Sequence, residues 1–99
     1  MSLSPKNRRT QEFKRQFDRL PEKMRRLAVE AFRAFRRNPA HPSLALHDLK
    51  DNHRGRHREG SRSVRISMKY RAIFAEEAGF NVWYWVGTHN DYEAFTGEK

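Results

Sequence analysis

Apolar positions in the first third of the chain recur with a helical period, and those in the second half alternate with polar ones. Helices are therefore predicted first and strands after them. Thr10 is placed to cap a first helix, with Glu12 in its opening turn and Phe13, Phe17 and Leu20 along one face. Pro21 opens a second helix at its first position. Met24, Leu27, Ala28, Ala31, Phe32 and Phe35 follow at i, i+3, i+4, i+7, i+8 and i+11, one continuous apolar stripe. Arg25, Arg26, Glu30, Arg33, Arg36 and Arg37 fill the outer face, and Asn38-Pro39 ends the helix. Leu44, Leu46 and Leu49 predict a short strand or extended segment, and residues 51–61 an exposed basic loop or hairpin tip. Val64, Ile66 and Met68 alternate with Ser63, Arg65 and Ser67 as in a half-buried strand. A bend near Met68-Lys69 leads into a strand over Tyr70–Phe74, Glu76–Gly79 turns, and Phe80–Val86 is the most strand-like run of the chain. Asn90 or Asp91 is the expected cap of a short terminal helix reaching Phe95. Residues 1–9 are expected to be a ragged start or a short edge strand, and the last four to fray. The predicted fold class is α+β: two N-terminal helices packed on one face of a small twisted antiparallel sheet of three to four strands, with a short C-terminal helical turn. With no repeat and no linker, residues 1–99 are expected to form one domain.

Composition narrows what such a domain can do. Hydrophobic residues make up 36% of the chain and charged residues 33%, so the core is small and its seven Phe, two Trp and three Tyr must supply much of the buried area. The net charge is +9, and Arg outnumbers Lys by more than two to one. Arginine favours planar, bidentate and stacking contacts, which points to a polyanion, RNA or DNA first. The plainer alternative is a solvated surface that only keeps the protein soluble. The absence of Cys excludes a disulfide framework and a thiolate metal site. With no apolar run of ~20 residues and no apolar leader, a soluble, cytoplasmic protein without a membrane partner is expected.

No metal or other cofactor is expected. The five His are scattered, and His53 and His57 lie in a glycine-containing loop with no third ligand beside them. There is no Gly-rich phosphate loop and no paired-carboxylate signature. A basic cluster remains: Arg62, Arg65, Lys69 and Arg71 on adjacent strands, and His89 just past the last one. Metal-free RNA cleavage needs a group to take the 2′-hydroxyl proton, cations to hold the phosphate as its charge grows, and a proton for the leaving 5′-oxygen. A histidine can exchange protons near neutrality, Arg65 and Arg71 can hold the phosphate, and Tyr92 or Phe95 can stack on a base. Arg54, Arg56 and Arg58 form a basic loop whose mutual repulsion an anion would relieve. Each has a plainer reading: Arg65 as the solvent face of a strand, His89 as a surface residue beside a helix cap. Tyr70, Trp83 and Trp85 read as core.

Four stretches resemble the RelE/ParE superfamily of type II toxins: FKRQFDRLP from Phe13, FRRNPAHPSL from Phe35, SVRISMKYRAIF from Ser63 and VGTHNDYEAF from Val86. With their order they span nearly the whole chain. The resemblance implies a toxin held by a cognate antitoxin in a hetero-oligomer, and for many members a ribosome-dependent endonuclease that cuts mRNA and stops translation. In that reading Arg65 contacts the scissile phosphate, Arg71 stabilises the transition state and His89 is the acid/base, with Arg62, Lys69, Tyr92, Phe95 and the loop arginines on the RNA. The chain departs from the pattern at Phe95, where some members have Tyr, and at Ser63, where a second basic residue is common. ParE-like relatives lack the nuclease set and poison DNA gyrase, which is the alternative expectation. A basic RNA-binding module without toxicity is the third.

Overall fold

The computed structural model describes residues 6–98. Strand β1 (Lys6–Arg9) is followed by helices α1 (Gln11–Asp18) and α2 (Glu22–Arg37), a 3-10 turn (Pro42–Leu44) and the two-residue strand β2 (His47–Asp48). Strands β3 (Ser61–Ser67), β4 (Tyr70–Glu77) and β5 (Phe80–Thr88) come next, and helix α3 (His89–Thr96) closes the chain. The sheet order is β1-β5-β4-β3-β2, antiparallel except that β1 runs parallel to β5.

The α+β class holds, with helices α1 and α2 on one sheet face, but the sheet has five strands and is mixed. The expected edge strand near the N-terminus is β1; residues 1–5 of that expectation lie outside the described residues. Its sequence, Lys-Asn-Arg-Arg, has no apolar alternation, so only its ladder with Phe80–Trp83 reveals it. Polar edges of this kind discourage further pairing. Asn7 accepts the indole N–H of Trp83 at 3.0 Å, and Arg8 lies over the Phe80 ring at 4.1 Å.

Helix α1 begins as predicted: Thr10 is extended and its hydroxyl accepts the Phe13 N–H at 3.0 Å. Pro21 sits one position before α2 rather than inside it. Helix α2 ends at Asn38, which is extended as a residue before proline must be. The predicted strand over Leu44–Leu49 contracts to β2, because His41 caps a 3-10 turn that buries Leu44 and Ala45 turns left-handed (φ 44°). Met68 is 76% exposed at the tip of the β3–β4 turn and not in the strand.

The first core lies between the sheet and helices α1 and α2. Phe13, Leu20, Phe35, Leu44, Val64, Ala72, Phe74, Trp83 and Val86 are buried in it. Phe74, 1% exposed, meets Trp83 at 4.5 Å and Phe35 at 5.3 Å between ring centroids. Aromatic pairs of this kind contribute about 0.5–1.5 kcal/mol each beyond the area they bury.

The second core is on the opposite face, under α3: Leu49, Ile73, Ala75, Tyr84, Trp85 and Tyr92, with Phe95 against it. Helix α3 is two turns long rather than one. Its cap is Thr88, whose hydroxyl accepts the Asp91 N–H at 3.1 Å, and not Asn90 or Asp91. The expected fraying is contradicted for Thr96, which is fully buried and donates to the Tyr92 carbonyl at 2.8 Å; Lys99 lies outside the described residues. The basic loop is tied to this end. Asn52 donates to the Thr96 carbonyl at 2.9 Å, and the Arg56 N–H donates to the Phe95 carbonyl at 2.7 Å. Gly97 closes the helix at φ 74°, where a Cβ would stand 2.6 Å from Asn52 Oδ1. Among the described residues no helix is long and apolar enough to cross a membrane.

Candidate functional site

Strand register decides which basic residues meet. Arg65 and Arg71 are direct cross-strand partners, and Arg71 is in turn opposite Gly87 on β5. All three are therefore in one row and on one face, the face of Ser63, Ile73 and α3. Two like charges directly opposite each other destabilise a sheet. Arg71 is held there by the turn beside it. Arg71 Nη1 donates to the carbonyls of Ser67 at 2.6 Å and Tyr70 at 3.0 Å. Burial, and then the neighbouring Arg65 charge, push the Arg71 guanidinium below its ordinary pKa. Arg65 Nε is buried and has no hydrogen-bond partner among the described residues. A buried donor left unpaired beside a second guanidinium is a position that an anionic oxygen would complete.

His89 is the first residue of α3, two positions after Gly87, the β5 partner of Arg71. Its backbone N–H donates to the Lys69 carbonyl at 2.6 Å, which joins the β3–β4 turn to the start of the helix. Its ring Nδ1 lies 3.3 Å from Glu93 Oε1. A proton on Nδ1 shared with that carboxylate leaves Nε2 as the ring's acceptor nitrogen. Lys69 is exposed in the same turn. Arg65, Lys69, Arg71 and His89 thus gather at one end of the sheet.

The other expected residues are placed differently. Arg62 is on the opposite face of β3: its guanidinium lies over the Phe74 ring at 5.9 Å and pairs with Asp48 at 2.9 Å. Arg58 stacks on Tyr84 at 4.4 Å and pairs with Glu77 at 3.0 Å. Glu77 is six residues along β4 from Arg71, roughly 20 Å at strand rise. Tyr92, expected as a base platform, is buried with its ring 6.2 Å from that of Trp85. Phe95 is half-buried and stacks on Trp85 at 5.3 Å. Arg54 and Arg56 are exposed in the loop clasped to the C-terminal end of α3.

Sequence reasoning missed a polar network behind the arginines. Ser63, fully buried, has its hydroxyl 3.1 Å from the His47 ring nitrogens, and the Tyr92 hydroxyl donates to Ser63 at 3.2 Å and lies 3.2 Å from His47 Nε2. Burial raises the Tyr92 pKa above its ordinary value, with the Ser63 hydrogen bond opposing. Ser63 is two positions before Arg65 on the same face, so this network adjoins the arginine row. His47 faces Ser63 through β2 pairing alone, which no local pattern announces.

Solved structures carry the same arrangement of elements. The chain superposes on YafQ from Escherichia coli strain BL21(DE3) with a TM-score of 0.69 at 11% identity, over 89% of this chain and 97% of that one. It superposes on RelE of the Methanococcus jannaschii RelB–RelE antitoxin–toxin complex at 0.65, with 12% identity and 89% and 98% covered. The Staphylococcus aureus YoeB dimer gives 0.63, with 16% identity and 88% and 99% covered. The fold is that of the RelE-type toxins. No protein-family model matches the sequence, and no curated protein matches it. In this chain the Arg65–Arg71 row and His89 lie where β3, β4 and β5 meet the start of α3.

Proposed function

We propose that the protein is the toxin of a toxin–antitoxin pair and a metal-independent endoribonuclease that cuts mRNA on the ribosome. The observation that carries the reading is the Arg65–Arg71 pair, two guanidiniums set opposite each other with one buried donor unpaired. A phosphodiester oxygen supplies the missing acceptor and the charge that relieves the repulsion. In the reaction the 2′-oxygen forms a bond to phosphorus and the bond to the 5′-oxygen breaks, leaving a cyclic phosphate. His89 Nε2 takes the 2′ proton while Glu93 holds the ring, and the imidazolium so formed returns a proton to the departing 5′-oxygen. Arg65 and Arg71 hold the phosphate as negative charge builds on it. Lys69 and the loop arginines Arg54 and Arg56 meet the surrounding RNA backbone, with an affinity that falls steeply with salt.

The structural relatives solved as RelB–RelE and DinJ–YafQ complexes support an antitoxin partner, expected to lay acidic side chains over the same row. The cytoplasm, where mRNA is translated, is the compartment this reading requires. The test is mRNA cleavage in a translating extract. Arg71→Ala and His89→Ala should each lower the rate on the order of 100-fold or more. Wild-type cleavage by either variant, or gyrase inhibition by the parent protein with translation untouched, overturns the reading.

A further inference from the structure

The last carbonyls of a helix have no partner within it and must find one outside. In α3 the carbonyls of Phe95 and Thr96 find theirs in the basic loop, far back in the sequence. The Arg56 N–H donates to Phe95 at 2.7 Å, and the Asn52 side-chain amide donates to Thr96 at 2.9 Å. The same Asn52 also orders the loop itself: its Oδ1 accepts the N–H groups of Arg54 and Gly55. Among the described residues it is the one side chain of the loop that hydrogen-bonds to α3. The approach is close, because a Cβ on Gly55 would stand 2.6 Å from the Thr96 carbonyl oxygen. The base of the loop is held separately. The Arg58 N–H donates to the Tyr84 hydroxyl at 2.9 Å, and His57 Nε2 lies 2.9 Å from the Lys50 carbonyl. The start of α3 is held separately too, by the Thr88 cap and the Lys69 carbonyl. What Asn52 fixes is therefore where residues 54–56 lie against the end of the helix.

Arg54 and Arg56 are the charges this placement governs. Both are exposed, and among the described residues neither is in an ion pair. Arg58, by contrast, is committed to Glu77 and to the Tyr84 ring. The Arg56 backbone is level with Phe95, roughly 9 Å along α3 from His89 at helical rise. We infer that Asn52 is a positioning residue for RNA. By tying the loop to the Thr96 carbonyl, it holds Arg54 and Arg56 where a strand lying on the Arg65–Arg71 row and His89 meets them. A loop without the tie keeps its charges but must be ordered by the RNA, and that ordering lowers affinity. Asn52 acts through the two arginines and sets binding; His89, anchored at the other end of α3, keeps its place without it.

The strand's path past His89 rests on the nuclease reading, but the role of Asn52 is measured without ribosome or cleavage. The probe is a short, fluorescein-labelled, 2′-O-methylated RNA strand, which binds but cannot be cut, titrated by anisotropy over a range of salt. Each phosphate contact to a single strand contributes roughly 0.7 to the slope of log K against log salt. Asn52→Ala changes no charge, yet should weaken binding several-fold and reduce that slope by roughly 0.7–1.4, one or both arginine contacts. The Arg54→Gln/Arg56→Gln double variant should do the same, and Asn52→Ala added to it should change nothing further. Gly97→Ala leaves the amide in place but sets a Cβ 2.6 Å from Asn52 Oδ1 and 2.7 Å from the Gly55 nitrogen, so it displaces the loop from the helix side and should reproduce Asn52→Ala. A cap that served only stability would weaken parent and double variant alike and leave the slope unchanged. Either of those results, or a double variant that binds like the parent, would overturn the role of Asn52. A chain that passes but cuts no mRNA keeps the tie and loses the nuclease; one that cuts mRNA while Asn52→Ala leaves the slope unchanged loses the tie alone.

Discussion

The two faces of the sheet are built from the same strands and have opposite characters. Under α1 and α2, the strands bury Val64, Ala72, Phe74, Trp83 and Val86, with Arg62 lying over Phe74. Under α3, the face divides along the strands. One part buries Ile73, Ala75, Tyr84 and Trp85, and the other carries Ser63, Arg65, Arg71 and the Tyr92 hydroxyl. The first face places the strands, and the second spends some of that stability on a polar, positively charged row. Stability and proposed function therefore separate by face more than by position in the chain.

The largest expected effect breaks the first face. Phe74 is 1% exposed between Phe35 and Trp83. Phe74→Ala should destabilise the protein by about 3–5 kcal/mol, a large share of what a small domain possesses. Urea denaturation measures it. A loss below about 1 kcal/mol would mean that this face is not where the stability resides.

A smaller effect tests the polar network on the second face. Tyr92→Phe removes the hydroxyl bonded to Ser63 and His47 and should destabilise by roughly 1 kcal/mol at neutral pH. The pH dependence has a definite sign. Burial raises the tyrosine's folded pKa above 10.0, so the folded state keeps the proton more tightly than the unfolded one. The stability from this linkage is fully present below the ordinary value and is lost as pH rises through the folded one. The difference between parent and Tyr92→Phe should hold to about pH 10 and shrink above it. Thermal melts from pH 7 to 11 check this, and a difference that grows with pH would refute it.

The first face was legible because its signals are local. The i, i+3, i+4 stripe of α2 and the alternation around Val64 can be read residue by residue. Strand β1 and the polar network are relations between segments far apart in sequence. Lys6–Arg9 has no apolar pattern, and His47 meets Ser63 across 16 positions. For Arg65 and Arg71 the strands were legible but their shared face was not. A register irregularity between Arg65 and Ser67 precedes the turn, and only the ladder fixes them as partners. Arg62 shows the converse: its charge suggested the site, while its parity on β3 placed it over Phe74.

The smallest expected effect is also the sharpest test of the division, because its sign is unusual. Arg65→Met removes one of two like charges directly opposite each other, together with a buried donor that has no partner, and keeps an unbranched side chain in place. It should stabilise the protein by roughly 0.2–1 kcal/mol. Because the gain is relief of repulsion, it should shrink at 1 M salt, where charges are screened over about 3 Å. It should also shrink in an Arg71→Met background, where the opposing charge is already gone. Under the proposed function the same substitution strongly lowers mRNA cleavage. A variant more stable and less active than its parent would place the row among features kept for chemistry at the expense of the fold. A loss of stability that is independent of salt and of Arg71 would show that Arg65 packs as part of the second core, and the division of that face would fail.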